Sequence, residues 1–367
     1  MIKVLHLIDH IGLGGVQTYV KEIFEKRREN RDIFLYVLRK SPITLDIDHP
    51  DVRVFPSSSK YSLGPLRELK RLIEAESFDV LHCHLFRSQA FGYFLKQRYF
   101  PRLKLVFQEQ GRVYLGGRVF NCFLKISRPM VDRYIANSYA TRDVLSRSAG
   151  IPEGEIKVLY NPVDLRKFQS RAFGPGSPGR PERAPSAARP FTVGFAARLI
   201  ERKGWKEFIE AAALLIKEKE DLRFLIAGDG PDMRKVSALI EKLGVDGKIF
   251  LLGYVADMAG FYSSLDCFVI SSHWEPMGLT EVEAQFSGVP VIASNVAALN
   301  EIIFDGENGL LFEAGSSADL AQKISAVMDD PLLRDKLIKG GLENSERYSP
   351  PRHIKALEDI YEEICRA

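Results

Sequence analysis

Two successive series of strand and helix signals run through this chain of 367 residues, and they limit the fold more than any other feature. Each series alternates short apolar runs with stretches of helical spacing, such as residues 64–75 and 205–218. The apolar runs cover residues 2–8, 33–38, 80–84, 104–108 and 134–136, and then 191–196, 223–227, 249–252, 267–271 and 289–293. Alternation of this kind is typical of parallel sheets with crossover helices. The sequence therefore predicts an α/β protein with two doubly wound domains.

A segment rich in proline, glycine and arginine separates the two series. Residues 170–190 hold five prolines, three glycines and four arginines, a composition that cannot build a packed core. We therefore expect a first domain over residues 1–167, a flexible linker or exposed loop over 168–190, and a second domain over 191–351. A last helix, roughly residues 353–365, follows Pro350 and Pro351. These residues alone leave open which domain it packs against.

Apolar content and cysteine spacing exclude several classes of protein. Apolar residues form 46% of the chain, which supports filled cores, but no run reaches the roughly 20 residues that a transmembrane helix needs. Met1 leads directly into a strand-like run without a signal-peptide core, so we expect a cytoplasmic protein. Cys83, Cys122, Cys267 and Cys365 are far apart and form no Cys-x-x-Cys pair, which argues against a disulfide framework and against a zinc site.

The two halves of the chain carry opposite charge. Residues 1–167 contain 28 Lys and Arg against 18 Asp and Glu, whereas residues 191–367 contain 19 against 29. The basic residues are dense over 96–147, where aromatic residues lie between them. One interpretation is a face that meets an anionic membrane and presents a lipid-linked or otherwise anionic acceptor; the other is ordinary solvated helices over an aromatic core. Nucleic acid is disfavoured, because no recognised binding motif accompanies the charge.

Two glutamates flank a turn between a buried strand and the start of a helix. Glu275 and Glu283 stand on either side of the turn at residues 276–278. Backbone N–H groups at a helix start favour an anion and carboxylates suit neutral hydroxyls, so this corner fits a ligand with both phosphates and sugar rings. Thr280 and Glu283 also have the Thr-x-x-Glu spacing of a capping box, in which the glutamate serves only the helix start. Both interpretations stand at this point.

Cationic residues and glycines follow two other strands. Arg198 and Lys203 come after the strand at 191–196 and form a natural pair for a diphosphate, although such residues are also common in solvated loops. Gly14 and Gly15 follow the first strand, where backbone N–H groups can approach a phosphate. Gln17 occupies the place of the third glycine of a dinucleotide fingerprint, and no acidic residue clearly ends the second strand. These departures disfavour a nicotinamide-dependent dehydrogenase.

Histidines and aspartates raise the question of a metal. His82 and His84 end a strand on one face, but a metal site lacks a clear third ligand. His84, nearer to the carboxyl end, is a candidate to hydrogen-bond a sugar hydroxyl, while a lone histidine is more often structural. Asp46 and Asp48 resemble a nucleotide-metal Asp-x-Asp, but they precede Pro50 in an irregular polar stretch, which favours a solvated loop. No metal is therefore predicted.

Taken together, these motifs resemble those of the retaining glycosyltransferases of family four. The resemblance spans nearly the whole chain and implies the GT-B architecture, in which two Rossmann-like, doubly wound domains face each other across an interdomain cleft. It also implies that residues 352–367 return to the first domain. The motifs that carry it are Gly14-Gly15, His84, Asn161-Pro162-Val163-Asp164, Arg198 with Lys203-Gly204, Gly228-Asp229-Gly230-Pro231, the pair Glu275 and Glu283, and Gly288-Val289-Pro290-Val291.

The resemblance implies a retaining transfer of a hexosyl or N-acetylhexosaminyl group from a nucleotide-diphosphate sugar, with UDP the expected nucleotide. It implies that Glu283 binds the ribose hydroxyls and that Glu275 contacts the transferred sugar, with His84 beside the sugar ring. Arg198 and Lys203 would hold the diphosphate and, with His84 and Glu275, form the catalytic set. The remaining donor-binding positions are Gly14, Gly15, Gly253, Tyr254, Val255, Met277, Gly278 and Leu279.

Three positions depart from the family pattern, and two of them concern the acceptor. The family often has phenylalanine at the position of Met277 and glutamate at the position of Gln17. It also often has a histidine near the position of Gln110. Gln17, Gln110 and Arg112 are the predicted acceptor-side residues, for a hydroxyl acceptor that is lipid-linked or a precursor of a cell-surface glycan. No cofactor and no metal are expected, because two cations and a helix start can neutralise the leaving diphosphate.

Two other functions remain open at this stage. An epimerase or hydrolase of the same architecture would consume the nucleotide sugar without an acceptor, and a non-catalytic module would bind it without turnover. The presence of all the charged positions favours a transferase over a binding module. The expected location is the cytoplasm, with a peripheral position on the inner face of the cell membrane if the basic half meets lipid.

Overall fold

The computed structural model describes residues 2–12, 15–26, 33–41, 49–111, 117–169 and 189–366. The chain divides into two compact units, Met1–Pro162 with Pro350–Ala367 and Val163–Ser349. Both units alternate strands and helices, as the sequence predicts. The predicted positions Gly14, Arg112, Asp46 and Asp48 lie outside the described residues, as does most of the predicted linker at 168–190.

The first unit contains a parallel sheet of seven strands. Their order is β3-β2-β1-β4-β5-β6-β7, so the chain winds outward in both directions from β1. The central strands are buried along nearly their whole length, because both faces of a parallel sheet are covered by helices. The strands are β1 Val4–Ile8, β2 Ile33–Val37, β3 Val52–Val54, β4 Val80–His84, β5 Lys104–Glu109, β6 Arg133–Ala136 and β7 Ile156–Val158.

The C-terminal helix, Pro350–Arg366, belongs to this first unit. It begins at Pro350 and not near residue 353, because proline is well accommodated in the first turn of a helix. Leu357, Ile360 and Ile364 pack into the cluster that β1 forms with the helix Gly15–Lys26. The other helices of the unit that join strands are Gly15–Lys26, Gly64–Glu76, Phe86–Arg98, Gly117–Ser127 and Tyr139–Ala149.

The second unit contains a parallel sheet of six strands in the order β10-β9-β8-β11-β12-β13. Phe208 of the first crossover helix packs between Phe195 and Phe224, with ring centroids 5.3 and 5.8 Å away. The strands are β8 Phe191–Ala196, β9 Leu222–Ala227, β10 Ile249–Gly253, β11 Cys267–Ile270, β12 Val291–Ser294 and β13 Leu310–Phe312. The helices are Arg166–Gln169, Trp205–Glu218, Met233–Leu243, Met258–Ser263, Thr280–Phe286, Ser317–Asp329 and Pro331–Ser345.

The boundary between the units lies earlier than the predicted residue 167. The backbone N–H of Val163 donates to the carbonyl of Tyr348 at 2.9 Å, and Phe168 packs against Tyr262 with ring centroids 6.0 Å apart. These contacts join residues 163–168 to the second unit. The chain returns to the first unit at Pro350 and not at the predicted residue 352, since the C-terminal helix already begins there.

A buried network of histidines and tyrosines ties the C-terminal helix to the sheet of the first unit. The hydroxyl of Tyr361 lies 2.6 Å from Nδ1 of His82 and 3.2 Å from Nε2 of His6, and Nδ1 of His6 lies 3.0 Å from Nε2 of His84. His353 bridges the hydroxyl of Tyr19 and the carbonyl of Tyr160. Burial lowers the pKa of His82 and His84 well below the usual range and that of His353 to about 4.

Acid should destabilise the first unit through these imidazoles. The unfolded chain binds protons near pH 6.5 that the folded chain does not accept until the pH is much lower, to about 4 for His353. Stability is therefore complete above about pH 6.5 and falls as the pH decreases toward 4, by up to about 1.4 kcal/mol per pH unit for each such group. Urea unfolding at pH 7.5 and pH 5 measures the loss.

The variant His353→Gln isolates one of these groups. At pH 7.5 it should be less stable than the wild type, because two buried hydrogen bonds change. Between pH 7.5 and pH 5 it should lose less free energy of unfolding than the wild type loses. His49→Gln, at an exposed position, is the control and should keep the wild-type pH dependence. An unchanged pH dependence in His353→Gln would show that this imidazole is not the source.

Candidate active site

The loops that follow β8 and β11 touch each other at the carboxyl edge of the second sheet. Gly204 has a φ of +70°, and a Cβ at this position would lie 1.7 Å from the carbonyl oxygen of Ser271. The hydroxyl of Ser271 donates back to the carbonyl of Gly204 at 2.7 Å. Only glycine permits this approach, and its consequence is that Lys203 stands beside the residues that follow β11.

Lys203 and Glu275 form an ion pair at this contact, as two of the predicted site residues. The hydroxyl of Ser272 donates to the same carboxylate oxygen of Glu275 at 2.8 Å. Glu275 is buried and Lys203 is half-buried, so the pair is shielded from bulk water. The lysine was predicted to hold a diphosphate and the glutamate to contact a sugar; in this structure they neutralise each other.

Arg198 stands on the neighbouring loop with an exposed side chain. The glycine motif at residues 228–231 supports this loop: Gly228 has a φ of +140°, and a Cβ there would lie 1.9 Å from the carbonyl oxygen of Ala197. The backbone N–H of Leu199 donates to the carbonyl of Asp229 at 2.9 Å. Within the described part of the chain no carboxylate pairs with Arg198, which leaves its guanidinium available to an anion.

The structure contradicts the capping-box interpretation of Thr280 and Glu283. Leu279 is the N-cap of the helix Thr280–Phe286, and no side chain caps it. The carboxylate of Glu283 instead accepts a hydrogen bond from the hydroxyl of Tyr262 at 2.9 Å. The helix has only seven residues, so the anion-binding role expected of its start carries little weight. Glu283 therefore remains a candidate ligand contact, held in place by a buried phenol.

The loop after β10 adds an exposed aromatic ring to the same edge. Tyr254 is 74% exposed and follows Gly253, whose carbonyl accepts from the N–H of Gly228 at 2.7 Å. Val255 is half-buried beside it. Because the strands run in the order β10-β9-β8-β11, Tyr254, the glycine motif, Arg198 and Glu275 follow one another along the edge. Three strand spacings separate the ends of this row, about 14 Å.

The predicted donor-binding residues in the turn after Glu275 are largely buried. Met277 and Gly278 are buried, and Leu279 is half-buried at the entrance to the helix. The sequence analysis missed Tyr262 and Glu281 in this region. Tyr262 lies in the short helix Met258–Ser263, outside every motif, and Glu281 lies between the two glutamates that the motif selects. Only the folded arrangement brings these two side chains to the site.

His84, a predicted site residue, lies at the end of β4 inside the first unit. It is 0% exposed, and its ring stacks on His82 with centroids 4.3 Å apart. The ring is therefore enclosed within the first unit, and the contact with a sugar ring stays a prediction. His84 belongs to the buried network that holds the C-terminal helix.

The same network supplies the third imidazole that a metal interpretation lacked. His6 pairs in register with His82 across β1 and β4, and nitrogens of His6, His82 and His84 all lie within 4.8 Å of one another. The rings pack against one another and bond to Tyr361 and among themselves, as in a hydrogen-bonded core. That no metal is needed stays a prediction.

The predicted acceptor residues fall at the carboxyl edge of the first sheet. Gln17 is 7% exposed in the helix Gly15–Lys26, which starts at the predicted Gly15. The side chain of Gln110 follows β5 and accepts from Nδ2 of Asn161 at 3.0 Å. The two glutamines thus lie on the unit and at the edge where the acceptor side is expected, although little of Gln17 is accessible.

An ion cluster that the sequence analysis missed lies at this same edge. Asp9 follows β1 and accepts from Arg39, which follows β2, at 2.9 Å and from Arg87 at 3.0 Å. Burial alone would raise the pKa of Asp9, but the two guanidinium groups outweigh it and hold the pKa below its usual range. The cluster carries one net positive charge at the end of three adjacent strands.

Comparison with known proteins agrees with this architecture. The family model "Glycosyltransferase Family 4" matches residues 13–167, and "Glycosyl transferases group 1" matches residues 180–343. EpsD of Bacillus subtilis, which is named as a glycosyltransferase, is 28% identical over 82% of this chain and 80% of its own length. MJ1178 of Methanocaldococcus jannaschii, named as an uncharacterized glycosyltransferase, is 25% identical over 96% of this chain and 95% of its own.

A solved structure extends the likeness to the fold of the whole chain. HepE of Anabaena, solved in complex with UDP, superposes with a TM-score of 0.81 at 20% identity and covers 99% of this chain and 100% of its own. The same protein in complex with UDP-glucose gives a TM-score of 0.78. No helix in the described ranges has the length and apolar character needed to cross a bilayer. With one family model on each half and a GT-B neighbour along its length, the chain belongs to the family-four type of glycosyltransferases and is a GT-B enzyme with two Rossmann-like domains.

Proposed function

We propose that this glycosyltransferase moves a hexosyl or N-acetylhexosaminyl group from a UDP-sugar to a hydroxyl acceptor with retention of anomeric configuration. The observation that supports the proposal most is the pairing of Lys203 with Glu275 beside the Tyr262–Glu283 hydrogen bond, on one edge of the second sheet. This edge offers a cation for phosphate and carboxylates for hydroxyls. Its neighbour in fold, HepE, was solved with UDP and with UDP-glucose.

The donor would lie along the row of loops from β10 to β11. The exposed ring of Tyr254 suits a nucleobase, since a flat aromatic surface stacks on any base. Glu283 suits the ribose hydroxyls, because a carboxylate fixed by Tyr262 accepts from a diol without moving. Arg198 and Lys203 then meet the diphosphate, and Glu275 meets the sugar that is transferred.

The reaction breaks the bond between the anomeric carbon and a phosphate oxygen, and the acceptor oxygen bonds to the same face of that carbon. Negative charge grows on the departing diphosphate, so cations that meet it there stabilise the transition state more than the ground state. Lys203 would exchange its bond to Glu275 for one to phosphate, which frees Glu275 to accept from a sugar hydroxyl. The departing phosphate takes the proton of the acceptor hydroxyl. We propose that no metal is required, because two cations neutralise the charge of the leaving group.

The acceptor, we propose, is anionic or lipid-linked and is met at an anionic membrane surface by the basic first unit. The helix Gly117–Ser127 supports this, because its outer face combines two exposed apolar residues with two cations. Val119 is 78% exposed and Ile126 is 61% exposed, and Arg118 and Lys125 stand beside them on that face. Such a face is suited to the boundary between lipid headgroups and acyl chains.

A donor and acceptor assay tests the function as a whole. The purified protein is incubated with a panel of UDP-sugars, with and without hydroxyl acceptors, and the products are separated and analysed by NMR for anomeric configuration. A transferase forms an α-linked product from an α-linked donor and releases UDP only when an acceptor is present. Sugar released or epimerised without acceptor would instead identify a hydrolase or an epimerase, and binding without turnover a non-catalytic module.

Removing either cation should slow the reaction. Arg198→Ala and Lys203→Ala are each expected to lower kcat by roughly 10² to 10³, the usual effect of removing one preorganised group that stabilises charge. Steady-state kinetics with saturating donor measure this. Lys206→Ala, at an exposed position in the helix that begins at Trp205, is the control and should keep the wild-type kcat. Wild-type rates in both site variants, with folding intact, would refute the assignment of the two cations.

Removing the carboxylate that faces the ribose should weaken the donor complex. We expect Glu283→Ala to lose roughly 1 to 3 kcal/mol of UDP binding free energy, because the ribose hydroxyls and Tyr262 are left without their partner. Isothermal titration calorimetry gives the dissociation constant. Glu241→Ala, on an exposed helix face, should bind UDP as the wild type does. A lower melting temperature with unchanged UDP affinity would mean that Glu283 is only structural.

Membrane binding should depend on both charge and salt. The wild type is expected to sediment with vesicles that contain anionic phospholipid at low salt and to be released at about 0.5 M salt, where exposed charges are screened over about 4 Å. Arg118→Glu combined with Lys125→Glu should abolish sedimentation, since each cation near such a surface contributes about 1 kcal/mol. Lys217→Glu combined with Lys242→Glu, both exposed on the second unit, is the control matched in charge. Sedimentation that ignores salt and both substitutions would contradict the proposed surface.

A further inference from the structure

Glu281 is a buried carboxyl group that the proposed reaction does not use. It lies in the first turn of the helix Thr280–Phe286 and is 0% exposed. Apart from its own backbone N–H, neither of its carboxyl oxygens has a hydrogen-bond partner in the described ranges of the chain. A buried polar group without a partner lowers stability, and an apolar side chain of equal size would fill the same space without that loss. The presence of a carboxyl here therefore calls for a reason beyond packing.

The carboxyl group of Glu281 lies against the turn between Glu275 and Glu283. A Cβ built on Gly278 would lie 1.9 Å from each carboxyl oxygen of Glu281, so the carboxyl rests directly on the backbone of the turn between Glu275 and Glu283. A larger residue at Gly278 would displace this carboxyl. The contact also means that a change in the charge or hydration of Glu281 acts directly on the turn.

The groups that face Glu281 decide its charge. Burial raises the pKa of Glu281 to about 8, and the carboxylates of Glu275 and Glu283 act in the same direction, against its own backbone N–H and the ammonium of Lys203. The phenols of Tyr262 and Tyr348 face it as well, and burial, followed by nearby carboxylates, keeps that of Tyr262 protonated by raising its pKa far above the usual range. At neutral pH Glu281 is therefore an uncharged acid.

We propose that Glu281 is a positioning residue of the donor site, whose uncharged carboxyl supports the turn at Gly278 and couples donor binding to a retained proton. The inference rests on the proposed function, because it takes this turn to lie against the diphosphate sugar. A diphosphate is anionic, so a second buried negative charge beside Glu275 and Glu283 would oppose it. The donor then binds more tightly to the protein in which Glu281 is protonated. Deprotonation of Glu281 weakens the donor complex by linkage.

Calorimetric titration with UDP between pH 6.5 and pH 9.5, on the wild type and on Glu281→Gln, tests this coupling. The glutamine keeps the shape of the protonated acid but cannot ionise. The ratio of the two dissociation constants, wild type over variant, cancels the ionisation of UDP itself. We expect it to be within about threefold of one at pH 7 and to rise about tenfold by pH 9, one pH unit above the pKa of about 8. A ratio that does not change with pH would overturn the proposal.

The protonation of Glu281 can also be measured without a ligand, from the pH dependence of the free energy of unfolding. Its folded pKa of about 8 lies above its ordinary value of 4.5, so the folded chain holds a proton that the unfolded chain releases, and stability declines as the pH rises from 4.5 to 8. Glu281→Gln lacks this decline. Urea unfolding should therefore show the variant gaining stability over the wild type between pH 5 and pH 8, with no further gain above. The exposed Glu241→Gln should track the wild type throughout.

The two measurements separate the failure of this inference from the failure of the proposed function. If UDP binds to neither protein at any pH, the proposed function fails and the coupling fails with it, whereas the stability gain would still establish the buried proton. If UDP binds and the stability gain is absent, Glu281 is ionised at neutral pH and the positioning role is wrong.

Discussion

Backbone contact between two loops of the second unit, at Gly204 and Ser271, is the constraint on which the site depends. The carbonyl of Ser271 occupies the place where a side chain at residue 204 would begin, so the ends of β8 and β11 are held at van der Waals distance. Lys203 can then reach Glu275 without an extended or mobile side chain. The same edge carries Arg198 on the loop that Gly228 supports. Charge placement in this unit follows from two glycines more than from the charged residues themselves.

Ten of the strands were predictable, and three short edge strands were not. All ten apolar runs correspond to strands, since continuous burial on both faces of a parallel sheet leaves a clear apolar signal. The structure adds β3, β7 and β13, of three residues each, all at sheet edges. Three residues are too few to show a period of two, and an edge strand is exposed enough to accept polar residues such as Arg53 and Lys157. Their pairing is fixed by the neighbouring strand and not by their own composition.

The candidate site was predictable where its residues lie in one loop. Glu275 and Glu283 share one corner, so spacing alone linked them, and Lys203 followed from its place after a strand. Tyr262 and His6 were missed because their roles depend on partners far away in sequence, at Glu283 and at His82. The burial of His84 was not predictable for the same reason, since it packs against His6 and Tyr19, which no local pattern reveals.

The return of the C-terminal helix to the first unit sets the order in which the chain can mature. During synthesis the sheet of the first unit emerges before the second unit, but His82 and Tyr19 wait for Tyr361 and His353, which are translated after the whole second unit. The second unit, Val163–Ser349, is a continuous segment and can complete its core before then. A chain that stops short of Pro350 would hence carry a finished second unit and a first unit without the helix that covers its imidazoles. A helix translated after the second unit thus completes the unit that precedes it.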